Sequence, residues 1–202
     1  MKKIIYYEGN ASSIQELETT LQFQYLPHIA FETSPDRQDV RKRGRKKWKN
    51  NEVSLESQEL GVQFIEKIEA SYLPHVSVRK INELIGYGLF AEENLEANSY
   101  VGEYTGIIRK NDRRYAEPLN DYCYEYPVPD DIGRSFVIDG TQGNLTRFIN
   151  HSFDPNIKPA LAFYDYFYHV IFLTLRKIKK GEQLFFNYGN NYWYIRGNPS
   201  NL

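Results

Sequence analysis

Three short segments of the chain carry residue types that suit the binding of a polar ligand and the placement of a reactive group. Residues 86–91 begin Gly-Tyr-Gly, residues 147–152 hold an Asn-His pair, and residues 186–189 hold Tyr188. Glycines let backbone donors and carbonyls approach a polar ligand without a side-chain clash. Taken singly these signals are weak, because a glycine pair is more often a turn and a histidine among apolar residues is more often part of the core.

The glycine pair also invites comparison with the phosphate-binding loop of dinucleotide-binding folds. That fingerprint needs a third glycine and a helix within a βαβ unit, and neither follows Gly88. The segments after residue 76 are rich in β-branched and aromatic residues, which favour strands. The pattern predicts a mostly β chain with some helix, arranged as several small irregular sheets, and it excludes a doubly wound nucleotide-binding fold.

In this order, the three segments resemble the SET-domain protein lysine methyltransferases. The similarity runs from about Val76 to Trp193, and its most specific part is residues 144–152 followed by Asp154-Pro155-Asn156. The resemblance implies a SET-domain fold with a C-terminal pseudoknot, in which the end of the chain passes through a preceding loop. It also implies a protein lysine methyltransferase that uses S-adenosylmethionine.

The same resemblance implies which residues hold the methyl donor. In the family the Gly-x-Gly segment wraps S-adenosylmethionine with its backbone, and the Asn-His segment holds its adenine and amino-acid parts. The predicted cofactor-binding residues are Gly86, Tyr87, Gly88, Tyr122, Arg147, Phe148, Asn150, His151 and Trp193. His151 is expected to act mainly through its backbone, neither as a metal ligand nor as a general base.

Tyr188 corresponds to the family's catalytic tyrosine, and Tyr100 is matched to a tyrosine that lines the lysine channel. Tyr188, Tyr100 and Phe186 are therefore predicted to form the substrate channel, with the two tyrosines as catalytic residues. The family carries Phe or Tyr at position 186, and Tyr there restricts the product to one methyl group. Phe186 predicts di- or trimethylation, by direct transfer to a neutral lysine amine without a metal.

The resemblance does not extend to the first 75 residues, which are predicted to be mainly helical. Apolar residues from Ile14 to Tyr25 and from Leu60 to Tyr72 keep a helical spacing. Proline follows two residues after each of those tyrosines, which predicts that both helices end there. The expected division is residues 1–75, a SET domain over 76–193 and a tail over 194–202.

Between the two predicted helices, residues 34–51 are polar and without apolar periodicity, so a loop or a partly disordered linker is expected. Within them, residues 41–49 hold seven cations, in a chain whose net charge is only −1. A solvated basic loop is the simplest interpretation. The alternatives are a nuclear-targeting signal, a nucleic-acid contact or a lysine-rich segment that the enzyme methylates on itself.

Cys123 is the single cysteine, so a disulfide framework and a thiolate zinc cluster are excluded. Many family members carry cysteine-rich zinc segments on either side of the SET core, and the second of these closes the lysine channel. Here Tyr192, Trp193 and Tyr194 are expected to close the channel by stacking, with the second subunit of a homodimer as the alternative.

No apolar run in the chain approaches the length of a signal peptide or a membrane span. We expect a soluble intracellular protein without membrane contact, acting in a nucleus or, as a secreted bacterial effector, in a host nucleus. The leading hypothesis is a histone lysine methyltransferase that acts on a basic, lysine-containing segment. The alternatives are methylation of another protein or of itself, and a chromatin or nucleic-acid adaptor with an idle SET core.

Overall fold

The computed structural model describes residues 5–111, 121–128 and 136–196 of the chain. Within these ranges the predicted mixture of small sheets with some helix is confirmed. In chain order the strands are β1 (Ile5–Tyr7), β2 (Asn10–Ser12), β3 (Ala30–Phe31), β4 (Val76–Asn82), β5 (Gly86–Ala91), β6 (Tyr100–Glu103), β7 (Ile107–Lys110), β8 (Cys123–Tyr126), β9 (Phe136–Asp139), β10 (Asn150–His151), β11 (Ile157–Tyr164), β12 (Phe167–Thr174) and β13 (Phe185–Phe186). The helices are α1 (Ile14–Leu21), α2 (Ser34–Lys49), α3 (Leu55–Glu69) and α4 (Asn190–Arg196), with a short 3-10 helix at Leu145–Phe148.

The strands pair into four sheets of two to four members. Their orders are β2-β1-β4-β5, β3-β7-β9-β8, β11-β12-β6 and the two-stranded β10-β13. Strand β12 is buried along its whole length, because β11 and β6 flank it and helices α2 and α3 cover the sheet. Strands β6, β9 and β12 and the 3-10 helix all contribute fully buried apolar side chains to the core.

The N-terminal region joins the sheets of the rest of the chain. Strand β1 pairs in parallel with β4, and β3 pairs in parallel with β7. The Thr105 hydroxyl also donates to the Leu26 carbonyl over 2.7 Å. Two of the four sheets therefore combine strands from both sides of the predicted division at residue 75.

The predicted loop over residues 34–51, with its basic segment 41–49, is wrong, because this stretch forms helix α2. Thr33 caps the helix by accepting from the Asp36 amide over 3.2 Å, and Pro35 sits in the first turn. Lysine and arginine are good helix formers, and the cations of the last turn complement the helix dipole. Val40 and Gly44 are the small inward residues, so there was no apolar stripe to reveal the helix.

The other two N-terminal helices form where the apolar spacing predicted them, with earlier ends. Helix α1 begins after Ser13, which forms a capping box with Glu16, and stops at Leu21, where Gln22 adopts a left-handed conformation. Helix α3 ends at Glu69, three residues before the predicted Tyr72. Among the described residues, no helix is both long and apolar enough to cross a membrane.

Both longer helices carry a glycine where they touch the β11–β12 hairpin. A Cβ at Gly44 would lie 1.9 Å from the Tyr166 carbonyl oxygen, and one at Gly61 would lie 2.0 Å from that of Phe163. Each helix thus rests with its backbone against the backbone of the hairpin. The contact explains why these helices tolerate glycine, which is otherwise unfavourable within a helix by roughly 1 kcal/mol.

Replacement of Gly61 with alanine should destabilise the protein although alanine is the better helix former. The clash with the Phe163 backbone forces α3 away from the sheet, at a net loss of roughly 1–2 kcal/mol. We expect the melting temperature to fall by about 2–8 °C. Val62→Ala, at the adjacent position that is 80% exposed, is the control and should leave the melting temperature unchanged or slightly higher. A Gly61→Ala protein as stable as the wild type would contradict the close approach.

Candidate functional site

A cavity of about 750 Å³ lies where the β4–β5 turn, the segment after the 3-10 helix and the C-terminal segment meet. Its volume is in the range of about 300–1,000 Å³ that is common for small-molecule sites. The described residues lining it are Ile81, Leu84, Ile85, Gly86, Tyr87, Tyr104, Asp121, Tyr122, Cys123, Tyr124, Arg147, Phe148, Ile149, Asn150, His151, Ser152, Phe153, Asp154, Gln183, Phe185, Phe186, Tyr188, Tyr192 and Trp193. The cavity thus brings together all three segments that the sequence singled out.

Strand pairing at the knot joins two of those segments. Strand β10 runs parallel to β13, with Asn150 opposite Phe185 and His151 opposite Phe186. Beyond the strand, the Ser152 amide donates to the Phe186 carbonyl over 3.1 Å. Asn156, nearly fully buried, extends the link by donating to the Gln183 carbonyl and accepting from the Phe185 amide. This pairing forms the predicted pseudoknot and fixes both segments against one wall of the cavity.

Asn150 ties the first segment to the same wall. Its side-chain nitrogen donates to the Tyr87 carbonyl over 3.1 Å. Gly86, one residue earlier, has a positive φ of 77° and also lines the cavity. Asn150 therefore holds the backbone at the start of β5 in place.

His151 is neutral and its ring is oriented by a backbone donor. The Tyr188 amide donates to His151 Nδ1 over 3.1 Å, so the neutral ring carries its proton on Nε2. Burial lowers the pKa of His151 below its ordinary value, which favours the neutral form further. The buried Nε2 has no hydrogen-bond partner among the described residues, and it is a donor at the edge of the cavity.

The hydroxyl of Tyr188 is fixed by the main chain. It donates to the Ile149 carbonyl over 2.8 Å, and the ring packs 4.7 Å from the Phe186 ring, centroid to centroid. Burial raises the pKa of Tyr188 well above its ordinary range, and the neighbouring Tyr192 acts in the same direction. Tyr188 therefore stays protonated at physiological pH, so that it can position a group but cannot act as a base.

Arg147 also lines the cavity and is fixed by its neighbours. Its Nε donates to the Gly140 carbonyl over 2.8 Å, and its guanidinium lies 4.0 Å from the centre of the Tyr122 ring and 4.9 Å from that of Phe148. Such cation–π contacts stabilise a guanidinium at a place where water does not solvate it. Burial lowers the pKa of Arg147, although an arginine remains charged under all physiological conditions.

Helix α4 covers the cavity. The Trp193 ring lies parallel to that of Tyr188 at 6.3 Å and meets the His151 ring edge-on at 4.8 Å. Tyr192 packs edge-on against Tyr188 at 4.7 Å. Stacked aromatic rings thus cover this side within a single chain. Tyr194, predicted to join them, is 92% exposed and points away.

Trp193 leaves a second donor without a partner. Its indole Nε1 is buried and has no hydrogen-bond partner in the described part of the chain. Buried donors are normally paired, so Nε1 of Trp193 and Nε2 of His151 together mark a place where a ligand would supply acceptors. The described residues include no group of three or more His, Cys, Asp or Glu side chains placed to hold a metal ion.

The predicted position of Tyr100 in the channel is wrong. Tyr100 is 2% exposed and packs under helix α3, with its ring 5.2 Å from that of Phe64 and 6.3 Å from that of Tyr72. It does not line the cavity, because the start of β6 lies on the side of the sheet that α3 covers. Gly88 also stays behind the wall, against the Gln183 side chain.

Tyr104 was missed by the sequence reasoning and occupies the place expected of Tyr100. It follows directly after β6, lines the cavity, and donates through its hydroxyl to the Tyr122 carbonyl over 2.5 Å. Burial raises its pKa well above the ordinary value. Both tyrosines stand in the same segment, and the sequence pattern did not reveal where the strand would end between them.

Comparison with known proteins gives these features a family. The family model described as the SET domain matches residues 86–189, just over half of the chain. A histone-lysine N-methyltransferase EZH2 of Chaetomium thermophilum is 37% identical over 119 residues, covering 54% of this chain and 8% of that protein. The histone-lysine N-methyltransferase EHMT1 of Homo sapiens is 30% identical over 118 residues, covering 56% of this chain and 9% of that protein.

Solved structures agree with the sequence matches. The Chaetomium thermophilum polycomb repressive complex 2 has a chain with a TM-score of 0.51 and 32% identity, over 61% of this chain and 16% of that chain. A structure of ctPRC2 in an autoinhibited conformation bound to S-adenosylmethionine has a TM-score of 0.51 and 30% identity, over 68% of this chain and 19% of that one. The chain therefore spans under a tenth of the length of the curated relatives described and under a fifth of these solved chains. What it shares with them is the domain around the cavity. The chain belongs to the SET-domain family.

Proposed function

We propose that this protein transfers methyl groups from S-adenosylmethionine to lysine side chains of a protein, with histone lysines as the substrate. One observation carries the proposal: the Tyr188 hydroxyl is held on the Ile149 carbonyl, inside a cavity that β10 and β13 assemble from the family's motif residues. That arrangement would place an oriented hydroxyl next to a main-chain carbonyl where the acceptor amine and the methyl group meet.

The residues present fit S-adenosylmethionine. The unpartnered donors His151 Nε2 and Trp193 Nε1 suit the carboxylate and ring acceptors of such a ligand. The polar part of the cavity wall includes the backbone of Gly86 and Tyr87, and the apolar part includes the aromatic rings of Phe148 and Trp193. When bound, S-adenosylmethionine supplies a methyl group on a positively charged sulfur.

The chain's own contribution is to bind, align and exclude water. Reacting atoms held at near-attack distance lose little entropy on reaction, which accounts for a large part of the rate in a positioned transfer. Tyr188 and Tyr104 both keep their protons, so neither offers an anion that would stabilise a lysine ammonium. An apolar aromatic wall favours the neutral amine by desolvation, and the neutral amine is the nucleophile.

Phe186 supports transfer of more than one methyl group. Its ring is 6% exposed and lies between the rings of Phe172, at 4.9 Å, and Tyr188, at 4.7 Å. It carries no hydroxyl that would crowd an already methylated amine. We therefore infer di- or trimethylation as the outcome.

The histone substrate is inferred from the relatives, since both of the curated relatives described above are named as histone-lysine N-methyltransferases. It implies action in a nucleus, that of the protein's own cell or of a host. Methylation of another protein is the alternative. Self-methylation of Lys42, Lys46, Lys47 or Lys49 on α2 is a further alternative, and the first, second and fourth of these lysines are exposed.

Tyr188→Phe should abolish most transfer while donor binding survives. The variant keeps the ring and loses the hydroxyl that donates to Ile149, and we expect the transfer rate to fall by about 100- to 1,000-fold. Mass spectrometry of mixed core histones incubated with S-adenosylmethionine measures the rate. Calorimetry measures the Kd of S-adenosylmethionine, which should change by less than about threefold, since loss of this hydroxyl removes no predicted contact with S-adenosylmethionine.

Tyr194→Phe makes the same chemical change at a side chain that is 92% exposed, and should leave the rate unaltered. If Tyr188→Phe were as active as the wild type, the proposed alignment would be wrong. If no variant, nor the wild type, methylated any histone while the donor still bound, the histone substrate would be wrong and another protein would take its place.

Phe186→Tyr should shift the product towards monomethyl-lysine. The new hydroxyl would enter the space beside Tyr188 and crowd a monomethylated amine, so we expect the fraction of di- and trimethylated peptide to drop at least about fivefold, a difference of roughly 1 kcal/mol. The product distribution at equal total turnover is read by mass spectrometry. Phe90→Tyr, outside the cavity lining, is the matched control. An unchanged distribution would remove the role assigned to Phe186.

Trp193 variants separate the indole donor from the cover that the ring provides. Trp193→Phe keeps an aromatic ring and loses Nε1–H, so the Kd of S-adenosylmethionine should rise about 5- to 10-fold, the equivalent of one hydrogen bond. Trp193→Ala also removes the stacking on Tyr188 and His151 and should raise it about 100-fold. Calorimetric titration with S-adenosylmethionine, without any acceptor, gives both values. Equal affinities for all three proteins would show that Trp193 takes no part in donor binding.

A further inference from the structure

Helix α2 concentrates positive charge on the surface of an otherwise balanced protein. Between Ser34 and Lys49 it holds eight cations and two acids, whereas the whole chain has a net charge of −1. Helix α3, which packs on the same sheet, carries the opposite charge, with four glutamates against Lys67. The N-terminal layer therefore presents one basic and one acidic helix.

Part of the positive charge fastens α2 to the hairpin beneath it. Arg41 pairs with Asp165 over 2.5 Å, and the Arg45 guanidinium lies 4.9 Å from the centre of the Tyr166 ring. Near the C-terminal end of the helix, Trp48 stacks on Phe163 with ring centres 5.9 Å apart and planes within 7°. Together with the backbone contact at Gly44, these contacts make α2 a rigid platform.

Three lysines are left on the outer face of that platform. Lys42, Lys46 and Lys49 are exposed and follow each other at a spacing of four and then three residues, which puts them in one row along a helix. The row is about 10 Å long at the usual rise per residue. None of the three has an ion-pair partner within the described part of the chain, and like charges at this spacing repel one another. The row therefore adds no ion pair to the fold.

We propose that the lysine row Lys42–Lys46–Lys49 binds the phosphate backbone of double-stranded DNA. Lysine ammonium groups are compact point charges that contact phosphate without a required orientation, and a rigid row of them matches a regular array of phosphates. The neighbouring acidic helix α3 repels a polyanion, so contact is confined to the α2 side. Duplex DNA is preferred over a single strand because α2 carries one aromatic ring, Trp48, and one face of it already lies on Phe163. Single-strand binding instead stacks successive bases on several free rings.

The choice of DNA among duplexes rests on the proposed histone substrate, because histones in chromatin are wrapped by DNA. Contact through α2 would hold the SET domain beside a nucleosome without reading base sequence, since the row offers charges and no planar hydrogen-bonding groups. The histone tail would then meet the cavity at a raised local concentration.

The binding itself is tested without any methyl transfer. Fluorescence anisotropy with a labelled 20-base-pair duplex, titrated at several salt concentrations, gives the association constant and its salt dependence. In the Lys42/Lys46/Lys49→Gln variant we expect the slope of log K against log salt to become shallower by about 2.7, the value for three lost phosphate contacts. The Lys42/Lys46/Lys49→Arg variant keeps the charge and should bind as the wild type does.

The control variant is Lys177/Lys179/Lys180→Gln, which removes the same charge from exposed lysines far from α2 in sequence. It should keep the wild-type slope, and all variants should retain the wild-type melting temperature and donor Kd. Equal loss in the control would mean that only net charge matters, and would overturn the proposal. So would an unchanged slope in the α2 variant, or tighter binding to single-stranded DNA or duplex RNA than to duplex DNA.

Sedimentation of the same proteins addresses a different occupant of the row, namely the acidic α3 helix of a second copy. A wild-type dimer that becomes monomeric in the α2 glutamine variant, together with unaltered DNA binding, would replace the proposal with self-association. Because none of these measurements uses a histone, a failure of DNA binding is distinguishable from a failure of the proposed methyl transfer.

Discussion

The parallel pairing of β10 with β13 is the constraint on which the site depends. It joins residues that are 35 positions apart in sequence, and the same register sets the His151 ring under the Tyr188 amide. The Tyr188 hydroxyl then has one main-chain acceptor, the carbonyl of Ile149. Two residues of strand are thus enough to fix the Tyr188 amide, the His151 ring and the Tyr188 hydroxyl relative to one another.

Sequence reasoning found the parts of the site that are defined by a run of neighbouring residues. The Asn150-His151 pair, the Gly86 turn and Tyr188 each lie in a segment whose order along the chain is specific to the family, and all reach the cavity. Tyr100 and Tyr104 could not be separated in that way. The choice between them depends on where β6 ends and on which side α3 covers the sheet, and both are tertiary facts.

Helix α2 was not predictable for a different reason. A helix is usually recognised by an apolar stripe. Helix α2 has no such stripe: it packs through a glycine against the backbone of the hairpin and through charged and aromatic side chains against aromatic rings. Gly44, Arg45 and Trp48 all contact the hairpin residues that follow β11 or belong to it. Those partners lie more than a hundred residues away. The helix propensity of its lysines and arginines and the Thr33 cap were present in the sequence. The sequence did not show which face of the helix would be buried.

The chain has two tryptophans, and the fold places one at each of its two candidate contact surfaces. Trp193 stands among the rings of Tyr188, Tyr192 and His151 at the cavity, and Trp48 lies at the edge of the basic helix, 44% exposed. The two indoles therefore differ in solvation, and their emission should differ in colour. The protein carries its own optical probes, one for the interior and one for the outer face, so that replacing either indole with phenylalanine leaves a single-site reporter without any added dye.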